Sequence, residues 1–263
     1  MKLGLFGGRI AHSRSPKIFL RLSHRLGRKI DYRAVAVRPG QLAEAVAQAR
    51  EAGWRGANVT VPLKEEAYAL CEKLTPAARA VGAVNVLRFD EDLVGHNTDG
   101  EGLRDALKRA GIRARGKRAL VFGAGGAARA AGWALGKNGA RSVRFSARTA
   151  ARAQKAAKDL GRLFPRTKFT AGACAPAEIW INATPLGMKG YPDSSPAPKR
   201  MTPPAAAMDL VYGRRTAFQR STAASDGSAM LAFQALRAFE FWDKSLGASR
   251  RADLAEDLIE VIA

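Results

Sequence analysis

Two α/β domains are predicted for this chain, on three observations. Short apolar stretches alternate from end to end with Ala- and Leu-rich stretches of helical character, the pattern of largely parallel sheets covered by helices. At 119–138 an apolar strand, a glycine loop and a helix follow one another without interruption. The length of 263 residues, 47% of them hydrophobic, suits one large core or two of ordinary size.

Leu3 to Gly7 is a first strand, and Ser15-Pro16 supplies an N-cap with proline at the first helical position, for a helix ending near Gly27. Asp31 to Val37 is a second strand, Gln41 to Ala52 a helix closed by Gly53, and Ala57 to Pro62 a strand stopped by its proline. A short helix starts at Lys64 and another turn at Thr75-Pro76. Ala83 to Phe89 and Leu93 to Asn97 are strands around the acidic turn Asp90-Glu91-Asp92. Leu103 to Ala110 is a helix stopped by Gly111, and Ala119 to Phe122 a very apolar strand. Further elements are a helix at Ala127 to Asn138, a strand at Val143 to Phe145, a helix at Ala150 to Leu160, strands at Ile179 to Asn182 and Met208 to Val211, and closing helices near Met230 to Trp242 and Ala252 to Ile262. The expected domains are residues 1–98 plus 229–263, and 99–228. Phe233, Phe239, Phe241 and Trp242 read as core residues of the last helices.

Lys plus Arg number 44 against 23 Asp plus Glu, a formal charge of +21. Such a balance draws anions, but the basic residues are scattered, with no block of five and no interleaved aromatics. That favours anionic metabolites over nucleic acid, with compositional drift toward Ala and Arg as the bland alternative. No apolar run reaches the roughly 18 to 20 residues of a membrane span, and the N-terminal stretch breaks into glycine, so a cytoplasmic protein with no membrane partner is expected. Cys71 and Cys174 lie far apart, outside any metal-ligand spacing, and read as small buried apolar residues; no metal is expected.

Gly123-Ala124-Gly125-Gly126-Ala127-Ala128 fits G-x-G-x-x-A between a strand and a helix. Glycine lets the backbone turn tightly and approach a pyrophosphate, which the helix N-terminus attracts. This is a Rossmann-like dinucleotide site. About 20 residues on, an NAD-specific loop carries a carboxylate for the adenosine ribose. Here stand Arg148 and Thr149, with Arg152 a helical turn beyond; the arginines suit a 2′-phosphate, so NADP is the expected cofactor. On the bland reading Thr149 only caps a helix and the arginines are solvated.

Four polar clusters close apolar elements in the first hundred residues: His12 to Pro16, Asn58 to Lys64, Gly82 to Asn85 and Asn97 to Gly100. Hydroxyls, amides, one lysine and one aspartate at strand ends suit a small polyhydroxylated ligand. Singly, Ser15 can be an N-cap, Asn85 a strand-end hydrogen bonder, Lys64 a solvated lysine and Asp99 a helix cap.

In these residues the chain resembles the shikimate dehydrogenase family. The motifs S-x-S-P, N-V-T-V-P-x-K, G-A-V-N, N-T-D-G, G-A-G-G-A, N-A-T-P-x-G-M at Asn182 to Met188, and Asp209 to Tyr212 occur in the family's order. The resemblance implies NADP-dependent, reversible reduction of 3-dehydroshikimate to shikimate, on the route to chorismate and aromatic amino acids. It implies a deep cleft between a substrate domain and the NADP domain. Ser13 and Ser15 would hold the substrate carboxylate with Tyr212 nearby. Thr60, Lys64, Asn85, Asp99 and Gln234 would bind ring hydroxyls, with Lys64 and Asp99 as the catalytic pair. Gly123, Ala124, Gly125, Gly126, Ala127, Ala128, Arg148, Thr149 and Arg152 would bind NADP, while Met188 and Gly227 would lie near the nicotinamide. The protein would be a monomer or a homodimer.

There are departures from the family's pattern. Arg9 stands where proline is usual, Ala147 where asparagine is, and Ala229 where a second glycine is. Gly213 to Asp226 looks too short for the helix and short strand expected there. Two alternatives follow: a quinate/shikimate dehydrogenase, disfavoured by the serine pair, and a non-catalytic shikimate-binding relative with a degraded cofactor domain, for which the short segment argues.

Overall fold

The computed structural model describes residues 1–8 and 10–262; the Arg9 departure lies outside the described residues. The chain divides into two compact units, Met1–Thr98 with Ala232–Ile262, and Asp99–Leu231.

The first unit begins with β1 (Lys2–Gly7), α1 (Ser15–Leu26), β2 (Asp31–Ala36), α2 (Leu42–Glu51), β3 (Gly56–Val59), α3 (Lys64–Leu70), β4 (Lys73–Leu74), α4 (Pro76–Val81), β5 (Val86–Phe89) and β6 (Leu93–His96). The second runs through α5 (Asp99–Arg109), β7 (Arg118–Phe122), α6 (Gly126–Lys137), β8 (Ser142–Ser146), α7 (Ala150–Leu163), β9 (Lys168–Ala171), β10 (Ile179–Asn182), β11 (Ala206–Asp209) and α8 (Ala217–Thr222). Helix α9 (Ser228–Trp242) passes from the second unit to the first, which ends with α10 (Ala248–Ile262).

In the first unit the sheet order is β2-β1-β3-β5-β6-β4. Strand β1 runs parallel to β2 and β3, but β3, β5 and β6 are antiparallel neighbours. This sheet is therefore mixed rather than largely parallel, because the short turn at Asp90–Asp92 can only reverse the chain. Leu3, Leu5 and Phe6 of β1 are all buried, as in a strand covered on both faces. Helix α1 turns Ile18, Phe19 and Leu22 inward and leaves Leu20 exposed, and Gly27 ends it at φ +63°.

Trp242 donates from Nε1 to the Leu87 carbonyl at 2.8 Å, and a Cβ added at Gly56 would lie 2.3 Å from that same oxygen. Gly56→Ala is therefore expected to lower the stability of this unit by about 2 kcal/mol, read as a fall in Tm by calorimetry; an unchanged Tm would contradict the packing. Phe233, Phe239 and Trp242 are buried as expected. Phe241 is only half-buried: its ring stacks on His96 and carries the Arg88 guanidinium 4.5 Å from its centroid.

The second unit holds a fully parallel sheet, β11-β10-β7-β8-β9. Chain order reverses between β7 and β10, which makes their carboxyl ends the ligand-binding switch point of a doubly wound sheet. Helix α5 starts at Asp99, four residues before the expected Leu103, despite Gly100 and Gly102. The reason is packing: a Cβ at Gly100 would lie 2.6 Å from the Trp133 ring, so α5 and α6 approach closely only with glycine there. Strands β4 and β9 are additional to those expected, being short and partly polar.

The segment between Tyr212 and Gly227 is not too short. It contains α8, started by a capping box between Thr216 and Gln219, and a β-bridge from Ser225 to Met208. The segment therefore gives no sign of a degraded cofactor domain. Both cysteines are half-buried rather than buried. Burial pushes the Cys71 thiol up to about 12, and Cys174 Sγ lies 3.3 Å from Ser146 Oγ.

Candidate functional site

The predicted site residues fall into two groups, and most of them stand in the loops after strands or in the first turn of the helix that follows; Asn85 instead directly precedes β5, and Gln234 lies within α9. Ser13, Ser15, Thr60, Lys64, Asn85 and Gln234 belong to the first unit; Asp99, Tyr212 and all the dinucleotide residues belong to the second.

In the first unit β1 ends at Gly7 and β3 at Val59, and a Cβ on Gly7 would meet Thr60 Cγ2 at 2.3 Å. Glycine thus lets the Thr60 loop come close to the end of β1. Ser15 does not cap α1. Arg14 holds the cap position without a side-chain bond, and Ser13 Oγ accepts the Ser15 amide at 3.2 Å. The Ser15 hydroxyl is turned instead to Tyr32, whose phenol donates to Asn58 Oδ1 at 2.8 Å. Phe19 stacks on the Tyr32 ring at 4.1 Å, and burial raises the phenol's pKa far enough to keep it a neutral donor.

The network continues inward. Asn58 Nδ2 donates to the Asn85 carbonyl at 3.3 Å. Asn85, 2% exposed, accepts the Thr98 amide on Oδ1 at 2.8 Å and donates from Nδ2 to Thr98 Oγ1 at 3.0 Å and to Gln234 Oε1 at 3.3 Å. Thr98 Oγ1 donates to the Gln234 carbonyl at 3.1 Å. Serine, tyrosine, asparagines, threonine and glutamine thus form one chain of hydrogen bonds, a set of fixed donors and acceptors suited to hydroxyl groups. Asn58 and Thr98 belong to the polar clusters marked in the sequence but were given no individual role there, and Tyr32 was not foreseen at all. An aromatic in a strand reads as packing, and only its phenol at the end of the Ser15 and Asn58 pattern marks it otherwise.

Lys64 is half-buried and is the first residue of α3. A cation there opposes the helix dipole, so helix stability does not account for its position. Asp99, buried at 5% exposure, opens α5, where the dipole favours a carboxylate.

In the second unit Gly123 has φ +110°, and a Cβ there would lie 3.0 Å from the Ala183 carbonyl, so no other residue makes this turn without strain. Gly125 is the N-cap of α6, extended and without a side-chain cap, and a Cβ on it would meet nothing within 4 Å. Ala124, Gly126 and Ala127 are half-buried and Ala128 is buried. Uncapped helix amides beneath an open glycine turn fit a dinucleotide pyrophosphate. Arg148, Thr149 and Arg152, after β8, are exposed. Thr149 occupies the N-cap position of α7, yet its hydroxyl accepts no capping bond, so capping does not explain it.

Asp209 closes β11 opposite Asn182, the last residue of β10. Both are fully buried. Asp209 Oδ1 accepts Asn182 Nδ2 at 2.9 Å and the Val211 amide at 3.1 Å; Oδ2 accepts Thr216 Oγ1 at 2.5 Å and Gln219 Nε2 at 3.3 Å. Burial raises the Asp209 pKa, opposed by those hydrogen bonds. Further along the two segments that follow β10 and β11 stand Met188, 43% exposed, and half-buried Tyr212, while Gly227, where a Cβ would meet the Leu210 carbonyl at 2.3 Å, donates its amide to the Val211 carbonyl at 3.0 Å. Ala229 is buried at the start of α9. Among the described residues there is no cluster that could hold a metal ion, and no helix long and apolar enough to cross a membrane.

Residues 5–87 match the family model described as the shikimate dehydrogenase substrate binding domain. The chain is 39% identical to a protein of Rubrobacter xylanophilus named shikimate dehydrogenase (NADP(+)), with 95% of this chain and 94% of that one covered. It is also 39% identical to a protein of the same name from Aeropyrum pernix, covering 92% and 91%. Among solved structures it is similar to shikimate 5-dehydrogenase of Thermus thermophilus in complex with NADP(H) and shikimate, with TM-score 0.83, 33% identity, and 98% and 99% of the two chains covered.

Proposed function

This chain belongs to the shikimate dehydrogenase family, and from that premise we propose that Lys64 and Asp99 are the catalytic pair of its NADP-dependent reaction, the reversible reduction of 3-dehydroshikimate to shikimate. It is an oxidoreductase acting on a CH–OH group. What supports the site assignment is the Ser15–Tyr32–Asn58–Asn85–Gln234 network, a run of fixed donors and acceptors suited to hydroxyl groups, in which Asn85 directly follows Val84, whose amide donates to the Lys64 carbonyl at 3.0 Å.

In this reading Ser13 and Ser15 hold the substrate carboxylate, with Tyr212, while Thr60, Asn85 and Gln234 orient the ring hydroxyls. The cofactor, when bound, would supply the hydride in its reduced form, NADPH, and take it back as NADP⁺ in the reverse direction. As hydride reaches the ketone carbon, charge builds on the oxygen, and the Lys64 ammonium stabilises and protonates it. Asp99 keeps that ammonium charged and oriented. The Gly123–Ala128 turn and the α6 amides receive the pyrophosphate, Arg148, Thr149 and Arg152 the 2′-phosphate, and Met188 and Gly227 border the nicotinamide. The enzyme would work in the cytoplasm, as a monomer or homodimer, toward chorismate and the aromatic amino acids, its positive charge drawing anionic metabolites rather than nucleic acid or membrane.

Purified protein assayed with shikimate or quinate and NADP⁺ or NAD⁺, followed by absorbance of reduced nicotinamide, is expected to favour shikimate with NADP⁺. Equal rates with quinate would establish the broader dehydrogenase, and no turnover with any pair would refute the reading. Arg148→Ala is expected to raise KM for NADP⁺ about tenfold and to leave KM for NAD⁺ nearly unchanged, since only the former carries the 2′-phosphate. Parallel changes for both cofactors would remove Arg148 from that role.

A further inference from the structure

We propose that Asp209, together with Thr216 and Gln219, is a positioning centre that sets the nicotinamide end of the cofactor seat by tying the segment after β10 to the segment after β11. The inference rests on the cofactor assignment above and adds residues that touch neither ligand.

The geometry is that of a hub. From Oδ1 the chain of bonds passes through Asn182, whose own Oδ1 accepts the Thr184 amide at 3.0 Å and the Thr184 hydroxyl at 2.6 Å; Thr184 Oγ1 then accepts the Leu186 amide at 3.3 Å, two residues before Met188. The same Oδ1 holds the Val211 amide, next to Tyr212. From Oδ2 the chain passes to Thr216, which accepts the Gln219 amide at 3.1 Å and starts α8. A Cβ at Gly187 would meet Thr216 Cγ2 at 2.6 Å, so the two segments are also in steric register. One carboxylate thereby orders both loops that border the reacting end of the dinucleotide.

These four donors to Asp209 are neutral: two amide side chains, a hydroxyl and a backbone amide. Burying a carboxylate among neutral donors costs more than burying an apolar residue of the same size, so fold stability alone gives no reason for the charge. A carboxylate differs from every neutral substitute in accepting at both oxygens. Here that property lets one side chain bind two segments at once.

The test uses the full-length protein and the pair Thr216→Val and Thr216→Ser. Valine keeps the methyl that faces Gly187 and removes the hydroxyl; serine keeps the hydroxyl. Binding of NADPH is compared with that of adenosine 2′,5′-bisphosphate, which carries the 2′-phosphate and lacks the nicotinamide, by calorimetric titration, alongside kcat and both KM values. Thr216→Val is expected to weaken NADPH about tenfold and lower kcat, with adenosine 2′,5′-bisphosphate and KM for shikimate within about twofold of wild type, and Thr216→Ser to restore NADPH binding. Equal weakening of both nucleotides would mean simple support of the fold, and unchanged NADPH binding would mean no role; either overturns the proposal. If Thr216→Val does not fold, Gln219→Met removes the other donor to Oδ2 and is read by the same comparison. Wild-type protein that binds NADPH without oxidising shikimate would count against the reaction assigned above, while the two binding measurements would still decide this inference.

Discussion

Lys64→Ala is expected to lower kcat about 10³-fold while KM for shikimate changes by less than about tenfold. The asymmetry follows from when the charge matters. A ketone oxygen in the bound substrate asks little of an ammonium, whereas the alkoxide forming during hydride arrival asks for both charge and a proton, so the lost interaction belongs mainly to the transition state. The position of Lys64 supports this. The first residue of α3 is electrostatically unfavourable for a cation, and a lysine kept there for solubility alone would sit better at the other end of the helix. Steady-state kinetics in both directions measure the effect. Turnover within about threefold of wild type would remove Lys64 from the reaction.

Asn85→Ala should cost about 3 kcal/mol of stability, a fall in Tm of about 6 to 12 °C by calorimetry, and should weaken shikimate binding at temperatures where the protein remains folded. Asn85 joins Thr98 and Gln234 through both ends of its side chain amide, at 2.8 to 3.3 Å. Alanine leaves the buried Thr98 amide without its acceptor and Gln234 without one of its donors. Desolvated groups of this kind cost more than the bond that satisfied them contributed. Because Thr98 directly precedes Asp99, slack in this network reaches Asp99, the carboxylate proposed above as catalytic, through the chain itself. An unchanged Tm would show that solvent replaces the amide and that the network is looser than its distances imply.

Much of the chain was legible from local rules. The glycine turn at 123–128 and its flanking strand and helix follow from the G-x-G-x-x-A spacing. The proline and glycine stops set most boundaries, and the polar ends of apolar strands marked Thr60, Lys64 and Asn85. What was not legible came from contacts distant in sequence. Gly100 and Gly102 argue against a helix on propensity, and only the Trp133 ring packed on Gly100 explains why α5 runs through them. The 213–226 stretch looked too short because a capping box and a single β-bridge need few residues once Asp209 and Met208 stand nearby to receive them.

Local rules in the sequence settle most of the elements, the glycine turn after β7 and the polar residue types at strand ends, because each depends on neighbours within a few positions; β4, β9 and α8 were not among them. Only the tertiary structure decided which polar groups act together. Ser15 left its expected cap for Tyr32, and Asp209 emerged as a common acceptor for residues from 182 to 219. The physical reason is that a buried polar group must find a partner wherever the fold brings one, and the partner's place along the chain is irrelevant to that requirement.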